Sequence, residues 1–282
     1  MGGMATLAHT LLTEGPRTPE RWVLFLHGLL GRGGNWRSFG RRWVQTHPTW
    51  GAVLVDLRLH GDSPAGFTPP HTVRAAAGDV LALAPALPGP VEALVGHSLG
   101  GKVVLAAQRA SGQRFPHAVV LDASPSARPD GLGSEQSRDV LALLARLPRQ
   151  YATRTEFVAA VEAAGQPRAI AQWLAMALQP DGRGFVLPLD LPGLESLFRS
   201  VLEEDDWDVV RSVPPGHRLA FKPPLGQVTE RQPVLALRHV LLEVGPGRGE
   251  YAVGLGALLE HDLGIGAERF EDRRRPLLED HA

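Results

Sequence analysis

The sequence predicts an α/β protein with a mainly parallel central sheet flanked by helices, and three observations carry that expectation. Short, continuous apolar runs recur along the first 121 residues and end at glycine or polar turn residues. Helix-length segments separate these runs. A stretch that reads as helix only, from about residue 130 to 207, then interrupts the alternation.

Arg21–His27 (RWVLFLH), ending at Gly28, has the pattern of a strand buried on both faces, where no polar alternation is needed. Ala52–Asp56, Val91–Val95 and Ala118–Leu121 repeat it. Between them lie the helical segments Asn35–Thr46, Thr72–Ala86 and Ser98–Ser111, the last with Leu99, Val103, Ala106 and Ala107 on one face. After Pro129 come Val140, Leu143, Leu144 and Leu147 at helical spacing, and a capping box, Thr153 to Glu156, opens the next helix. Leu194, Leu197, Phe198, Val201 and Leu202 form the stripe of another. The expected organisation is therefore a first part of the core over 1–129, a helical cap over 130–207 and a return to the core over 208–282. Arg218–Phe221 and Leu235–Val244 are the expected last strands. From Lys222 onward the text turns rich in Gly, Pro and Arg and its periodicity weakens. There is no internal repeat, and the charge runs Glu203–Asp206 and Arg273–Arg275 read as solvated surface.

Composition narrows the function classes. The 282 residues suit one main domain with a lid-sized insertion, and 44% hydrophobic with 21% charged residues is ordinary for a folded chain. A net charge of −1 without a basic stripe gives no source for counterion release, so no nucleic-acid partner is expected. The absence of cysteine excludes disulfides, thiolate zinc sites and a cysteine nucleophile. No apolar run approaches the roughly 20 residues of a membrane helix, and no basic-then-apolar leader opens the chain. A cytoplasmic protein that needs neither membrane nor cofactor is the expectation. No His, Asp or Glu cluster has metal-ligand spacing. Gly96–Lys102 approaches the phosphate-binding P-loop, but Val103 stands where the magnesium-holding hydroxyl belongs; Gly247–Ala252 approaches the dinucleotide fingerprint with only about thirty residues beyond it.

The motif that carries chemistry is Gly96-His97-Ser98-Leu99-Gly100, placed between a strand and a helix. That context suits a strained elbow that presents Ser98 as nucleophile at the carboxyl edge of a sheet. The N–H of Leu99 would then be one oxyanion donor. His27-Gly28-Leu29-Leu30-Gly31, after an earlier strand, would supply the second from Leu29. These residues, with Asp56-Leu57-Arg58-Leu59-His60-Gly61-Asp62-Ser63 and Gly96–Lys102, resemble the α/β-hydrolase superfamily. The likeness is to small bacterial esterases and their mitochondrial relatives, with the motifs HG-x-x-G, D-x-R-x-HG-x-S and GHS-x-GGK. It covers roughly residues 20 to 220. The resemblance implies an α/β-hydrolase fold and cleavage of a small-molecule acyl ester or thioester, without cofactor, by a Ser-His-Asp triad beneath a helical cap. It also points to Asp122, at the end of a strand, as the acid, with Glu203–Asp208 as the alternative. His60 and Asp62 are expected to organise the loop beneath the site, and His97 to pack beside the elbow.

The base is unassigned. A histidine shortly after the last strand is expected, yet after His239–Val244 the text reads Gly245-Pro246-Gly247-Arg248. His239 and His261 are weak candidates, His281 a weaker one, and Gly216-His217 precedes a strand. Two readings stay open: a serine ester hydrolase, or a hydrolase-fold protein without turnover that serves as a binding module or is an inactive product. Lysine is confined to Lys102 and Lys222 and asparagine to Asn35, the bias of a GC-rich gene, in which the last sixty or so residues could be read in a shifted frame. Oligomeric state has no sequence signal.

Overall fold

Strands β2 (Arg21–Leu26), β3 (Trp50–Val55), β4 (Val91–His97), β5 (His117–Leu121) and β9 (Arg218–Lys222) run parallel, and β1 (His9–Leu12) joins β3 antiparallel. The order is β1-β3-β2-β4-β5-β9. These elements come from a computed structural model that describes residues 5–222, apart from 17, 64, 65, 132 and 133. The expected strand Leu235–Val244, His239, His261, His281 and the Gly245–Arg248 segment lie outside the described residues.

The apolar runs behave as a doubly covered sheet requires. Trp22, Leu24 and Leu26 point into one buried cluster with Val53, Val55, Leu94 and Val120. Phe25 points the other way, where its ring meets Trp36 and Phe39 at centroid distances of 5.4 Å. Helices α2 (Val73–Leu83) and α3 (Leu99–Ala110) cover the first face, and α1 (Arg37–Thr46), preceded by a single 3-10 turn at Gly33–Trp36, carries Phe39 on the second. The side chain of Thr72 caps α2 by accepting from the Ala75 N–H at 3.1 Å. Strand β1 had no counterpart in the sequence expectation. It is a four-residue edge strand with mostly exposed side chains, so it carries no buried run to betray it.

The stretch after Pro129 contains α4 (Glu135–Arg146), α5 (Arg154–Ala163), α6 (Arg168–Leu174) and α7 (Leu191–Glu203). It is not helical throughout. Three two-residue strands, β6 (Gln150–Tyr151), β7 (Gln179–Pro180) and β8 (Phe185–Val186), form a small antiparallel sheet in the order β6-β8-β7. Two residues are too few to show a period, which is why the helical reading passed over them. Thr153 Oγ1 accepts from the Glu156 N–H as expected, while the Glu156 carboxylate takes the N–H of Ala152, one residue before the cap. Apolar residues of this stretch, Leu144, Phe157, Leu174 and Leu194 among them, make a second cluster whose partners from the sheet side are Leu30 and Leu59.

The run after α7 corrects the sequence reading. Glu204 and Asp206 are buried, not solvated, with Asp206 fully inaccessible. They lead into the short helix α8 (Trp207–Arg211) and are held by cations from α2 and α3.

Candidate active site

Between the last residue of β4 and the first of α3 stands Ser98 alone, at φ 51°, ψ −114°. A β-carbon at Gly96 would collide with the carbonyl of Gly100, and one at Gly100 with that of Leu26, so the turn closes only with glycine at both places. The Ser98 N–H donates to the Leu121 carbonyl at 2.8 Å, and its own carbonyl accepts from Gly101 and Lys102. Serine is among the preferred helix caps, yet here its hydroxyl makes no cap bond. Among the described residues, the N–H groups of Leu99 and Leu29 find no acceptor. The site lies at the carboxyl ends of the strands, where chain order switches direction between β2 and β4.

On the β2 side, the loop 27–31 folds over the elbow. A β-carbon at Gly28 would lie 2.9 Å from His97 Nδ1 and 3.4 Å from Ser98 Cβ. Two buried histidines stitch this loop to the one after β3. His27 Nδ1 donates to the Gly28 carbonyl (2.7 Å) and its Nε2 accepts from the Leu57 N–H (3.0 Å). His60 Nδ1 donates to the Arg58 carbonyl (2.8 Å) and its Nε2 accepts from the Leu30 N–H (3.0 Å). Accepting at Nε2 requires neutral rings. Burial enforces that state: it holds His27 well below the ordinary histidine range, helped by His60, and pulls His60 down to about 4 against the pull of the Arg58 carbonyl and Asp56. Asp56 completes the stitch, accepting from the N–H groups of Gly33 (2.5 Å) and Asp62 (2.8 Å). Arg58 forks onto Asp79 of α2 at 2.6 and 2.9 Å. His60 thus organises the loop as expected, but the carboxylate that does so is Asp56. Asp62 is exposed and reaches Arg32 at 3.4 Å.

On the β5 side, Asp122 follows the strand at φ 53° with its side chain half exposed, and its Oδ2 lies 3.6 Å from His97 Nε2. His97 thus lies beside the elbow, as expected, between the Gly28 loop and Asp122. Positive φ outside glycine occurs among the described residues at Leu30, Leu59, Ser98, Asp122 and Gln113, so four of the five border this site or its stitched loops. Deeper on this flank Lys102, fourth residue of α3 and almost wholly buried, donates from Nζ to the carbonyls of Pro125 (3.2 Å), Ser126 (3.3 Å) and Glu204 (2.6 Å) and to Asp206 Oδ2 (3.0 Å). Arg109 binds Asp206 Oδ1 at 2.9 Å and also Asp208. Burial lowers Lys102 and raises Asp206, so desolvation outweighs attraction within the pair. Both Asp206 oxygens are engaged by cations of α3, so Asp206 makes no free acid for Ser98. Sequence reasoning missed Asp56 and the Lys102–Asp206 pair. Asp56 sat inside the quoted D-x-R-x-HG-x-S motif, whereas nothing local links Lys102 to a residue 104 positions away.

The structure thus brings Ser98, Leu99, Asp122 and, through Gly28, the Leu29 loop to one edge. His217 begins the opposite edge: Arg218, beside it, pairs with His117 at the start of β5. An open groove of about 430 Å³, counted out to solvent, runs past Leu30, Arg32, Trp173, Met176 and Gln179, between the β2 loop and the second cluster. No metal-ligating cluster exists among the described residues, nor does any described helix have the length and apolarity to cross a membrane.

Comparison with known proteins agrees with this geometry. The sn-1-specific diacylglycerol lipase ABHD11 of Mus musculus is 39% identical over 122 residues, which is 42% of this chain and 37% of that protein. The chain thus matches little more than a third of the length of its curated relatives. Among solved structures, an esterase from a marine microorganism superposes with a TM-score of 0.62 at 20% identity, over 71% of this chain and 74% of that one. E-2-(acetamidomethylene)succinate hydrolase gives 0.58 at 20% identity, over 76% and 75%. At these identities the superpositions speak for the fold. Residues 23–245 match the model of the alpha/beta hydrolase family, and with that span the chain belongs to it.

Proposed function

We propose that this protein is a serine hydrolase that cleaves carboxylic esters, or thioesters, through an acyl-enzyme on Ser98. The observation that carries the reading is Ser98 itself: a strained residue in the capping position of α3 whose hydroxyl does not cap, set between two loops that converge on it. The mouse relative, named a diacylglycerol lipase, supports ester cleavage as the reaction class.

In this mechanism Ser98 Oγ attacks the carbonyl carbon while its proton passes to a histidine base. The carbonyl oxygen becomes an anion held by the N–H groups of Leu29 and Leu99, where the N-terminal end of α3 adds its partial positive charge. Collapse expels the alcohol or thiol, which takes the proton from the imidazolium. Water, deprotonated by the same base, then frees the acid and restores Ser98. Asp122 orients the base and stabilises its cationic form. The base itself is unassigned: the candidates His239 and His261 lie outside the described residues. Residues 130–207 serve as the cap and 1–129 with 208–222 as the core, the rest of the expected return over 208–282 lying outside the described residues. The apolar residues of the cap suit an apolar acyl group.

The second reading is a hydrolase-fold protein without turnover, favoured by Pro246 standing where the base is expected. Reaction with a fluorophosphonate probe decides between them. Wild type is expected to be labelled and Ser98→Ala to remain unlabelled. A folded but unlabelled wild type leaves the non-catalytic reading in its place.

A further inference from the structure

Lys102 is a buried cation that the proposed reaction does not use. Its surroundings are two chain segments 74 or more positions apart that are hydrogen-bonded to each other. The Arg128 N–H donates to the Leu202 carbonyl (2.6 Å), the Asp206 N–H to the Pro125 carbonyl (2.7 Å) and Trp207 Nε1 to Ser126 Oγ (2.9 Å). One segment is the loop that continues from Asp122. The other is the exit of α7, the end of the helical stretch over the site. Lys102 Nζ reaches both at once, through the carbonyls of Pro125 and Ser126 on one side and the Glu204 carbonyl and Asp206 carboxylate on the other. Lys102 stands on α3, whose capping residue is Ser98.

We propose that Lys102 is a positioning residue that pins the Asp122 loop and the exit of α7 to the nucleophile helix, so that acid and helical stretch hold their places relative to Ser98 through one ammonium group. An apolar residue could fill the space, but it would take the ammonium donor from the carbonyls of Ser126 and Glu204 and leave Pro125 only the Asp206 N–H, with Asp206 losing a cation as well. A compact ammonium with three donors meets converging acceptors from several directions, which a planar guanidinium does not. Packing agrees: Ala123, next to Asp122, lies against Gly101, where an added β-carbon would be 3.0 Å from its methyl. Arg109 provides the contrast. It contacts Glu204, Asp206, Asp208 and the Asp205 carbonyl, all in the exit segment. Lys102 thus reaches both segments through one group, whereas these contacts of Arg109 fasten the exit segment.

The catalytic consequence rests on the serine-hydrolase reading, so the test has two arms. Amide hydrogen exchange of the full chain reads the pin directly. In Lys102→Met, peptides covering 122–129 and 202–208 are expected to exchange at least tenfold faster together, while those of β4 keep their protection. Arg109→Met is expected to loosen 202–208 alone. Should Lys102→Met not fold, Asp206→Asn keeps the shape, removes the charge and is expected to loosen both segments to a smaller degree. Unchanged exchange, or loosening of one segment only, overturns the pin. The second arm is the rate of fluorophosphonate labelling. Lys102→Met is expected to react at least tenfold more slowly and Arg109→Met within twofold of wild type. Wild-type labelling in a loosened Lys102→Met overturns the positioning role. An unlabelled wild type refutes the reading of Ser98 instead, and the exchange arm still decides the pin.

Discussion

The two flanks of Ser98 are fastened by opposite chemistries. On the β2 side, His27 and His60 are neutral rings, each donating to one backbone carbonyl and accepting from one backbone N–H. On the β5 side, Lys102, Asp206 and Arg109 are ions whose mutual attraction is set against burial. The difference follows from what each flank holds. In the loop carrying Leu29 the N–H groups of Leu30 and Gly31 are satisfied, and a neutral imidazole is one of the few side chains able to serve both a carbonyl and an amide at once. The Asp122 flank must gather carbonyl oxygens from two distant segments, and only a donor-rich cation does that. The first flank should therefore answer to pH and the second to removal of charge.

The largest effect is expected on the ionic side. Asp206→Ala leaves Lys102 and part of Arg109 buried without their anion, a loss on the order of 3–5 kcal/mol. Urea unfolding should record it as a lower midpoint with an unchanged slope. Lys102→Met with Asp206→Leu removes both charges and should recover part of that loss. Were the double replacement as damaging as the single one, the flank would be held by its hydrogen bonds to backbone rather than by charge balance.

The neutral flank is tested by acid. The folded protein keeps His60 unprotonated down to about pH 4, and burial holds His27 well below its ordinary range, whereas the unfolded chain protonates both near 6.5. Unfolding therefore takes up protons between these values, and stability falls as pH drops through the window from about 6.5 to 4. For His60 alone the full loss is on the order of 3 kcal/mol. Asp208, lowered to about 2 by Arg109, keeps its charge across this window. Urea titrations at pH 7, 6, 5 and 4.5 should show the slope, and His60→Gln, which keeps an acceptor and a donor but does not titrate, should flatten it by one group. An unchanged slope in that variant would place the acid sensitivity elsewhere, such as at His117, which burial also lowers.

What could be read from sequence follows the same division between local and distant. The elbow was legible because its constraint is local: glycine at 96 and 100 clears the carbonyls of Gly100 and Leu26, and the spacing alone reports it. Strands β2 to β5 were legible because their runs are continuous and largely buried, and β9 because its short apolar run centres on buried Leu219. Edge strand β1 and the two-residue strands β6, β7 and β8 offered neither burial nor period. Within the run Glu203–Asp206, Glu203 and Asp205 are exposed as expected, but Glu204 and Asp206 were misread because charge in a sequence suggests solvent, and only the fold brings Lys102 and Arg109, about a hundred positions earlier, against them. Likewise the positive φ angles of Leu30 and Leu59 are imposed by the loops they close, and no property of leucine announces them.

The smallest effect concerns the two aspartates of the D-x-R-x-HG-x-S motif. Asp62 was expected, with His60, to organise the loop, but its carboxylate is two-thirds exposed and meets Arg32, itself more than a third exposed, at 3.4 Å. Solvent competes for both charges, so Asp62→Ala should cost under about 1 kcal/mol and less still in high salt. Its backbone N–H, which donates to Asp56, survives that substitution. Asp56→Ala instead strips an acceptor from two N–H groups, one of them buried with Gly33, and should cost several times more. Paired urea titrations of the two variants check the ordering. Equal losses would mean that the Arg32–Asp62 pair, and not the buried carboxylate, holds the loop against the elbow, and the β2 flank would then be ionic like its opposite.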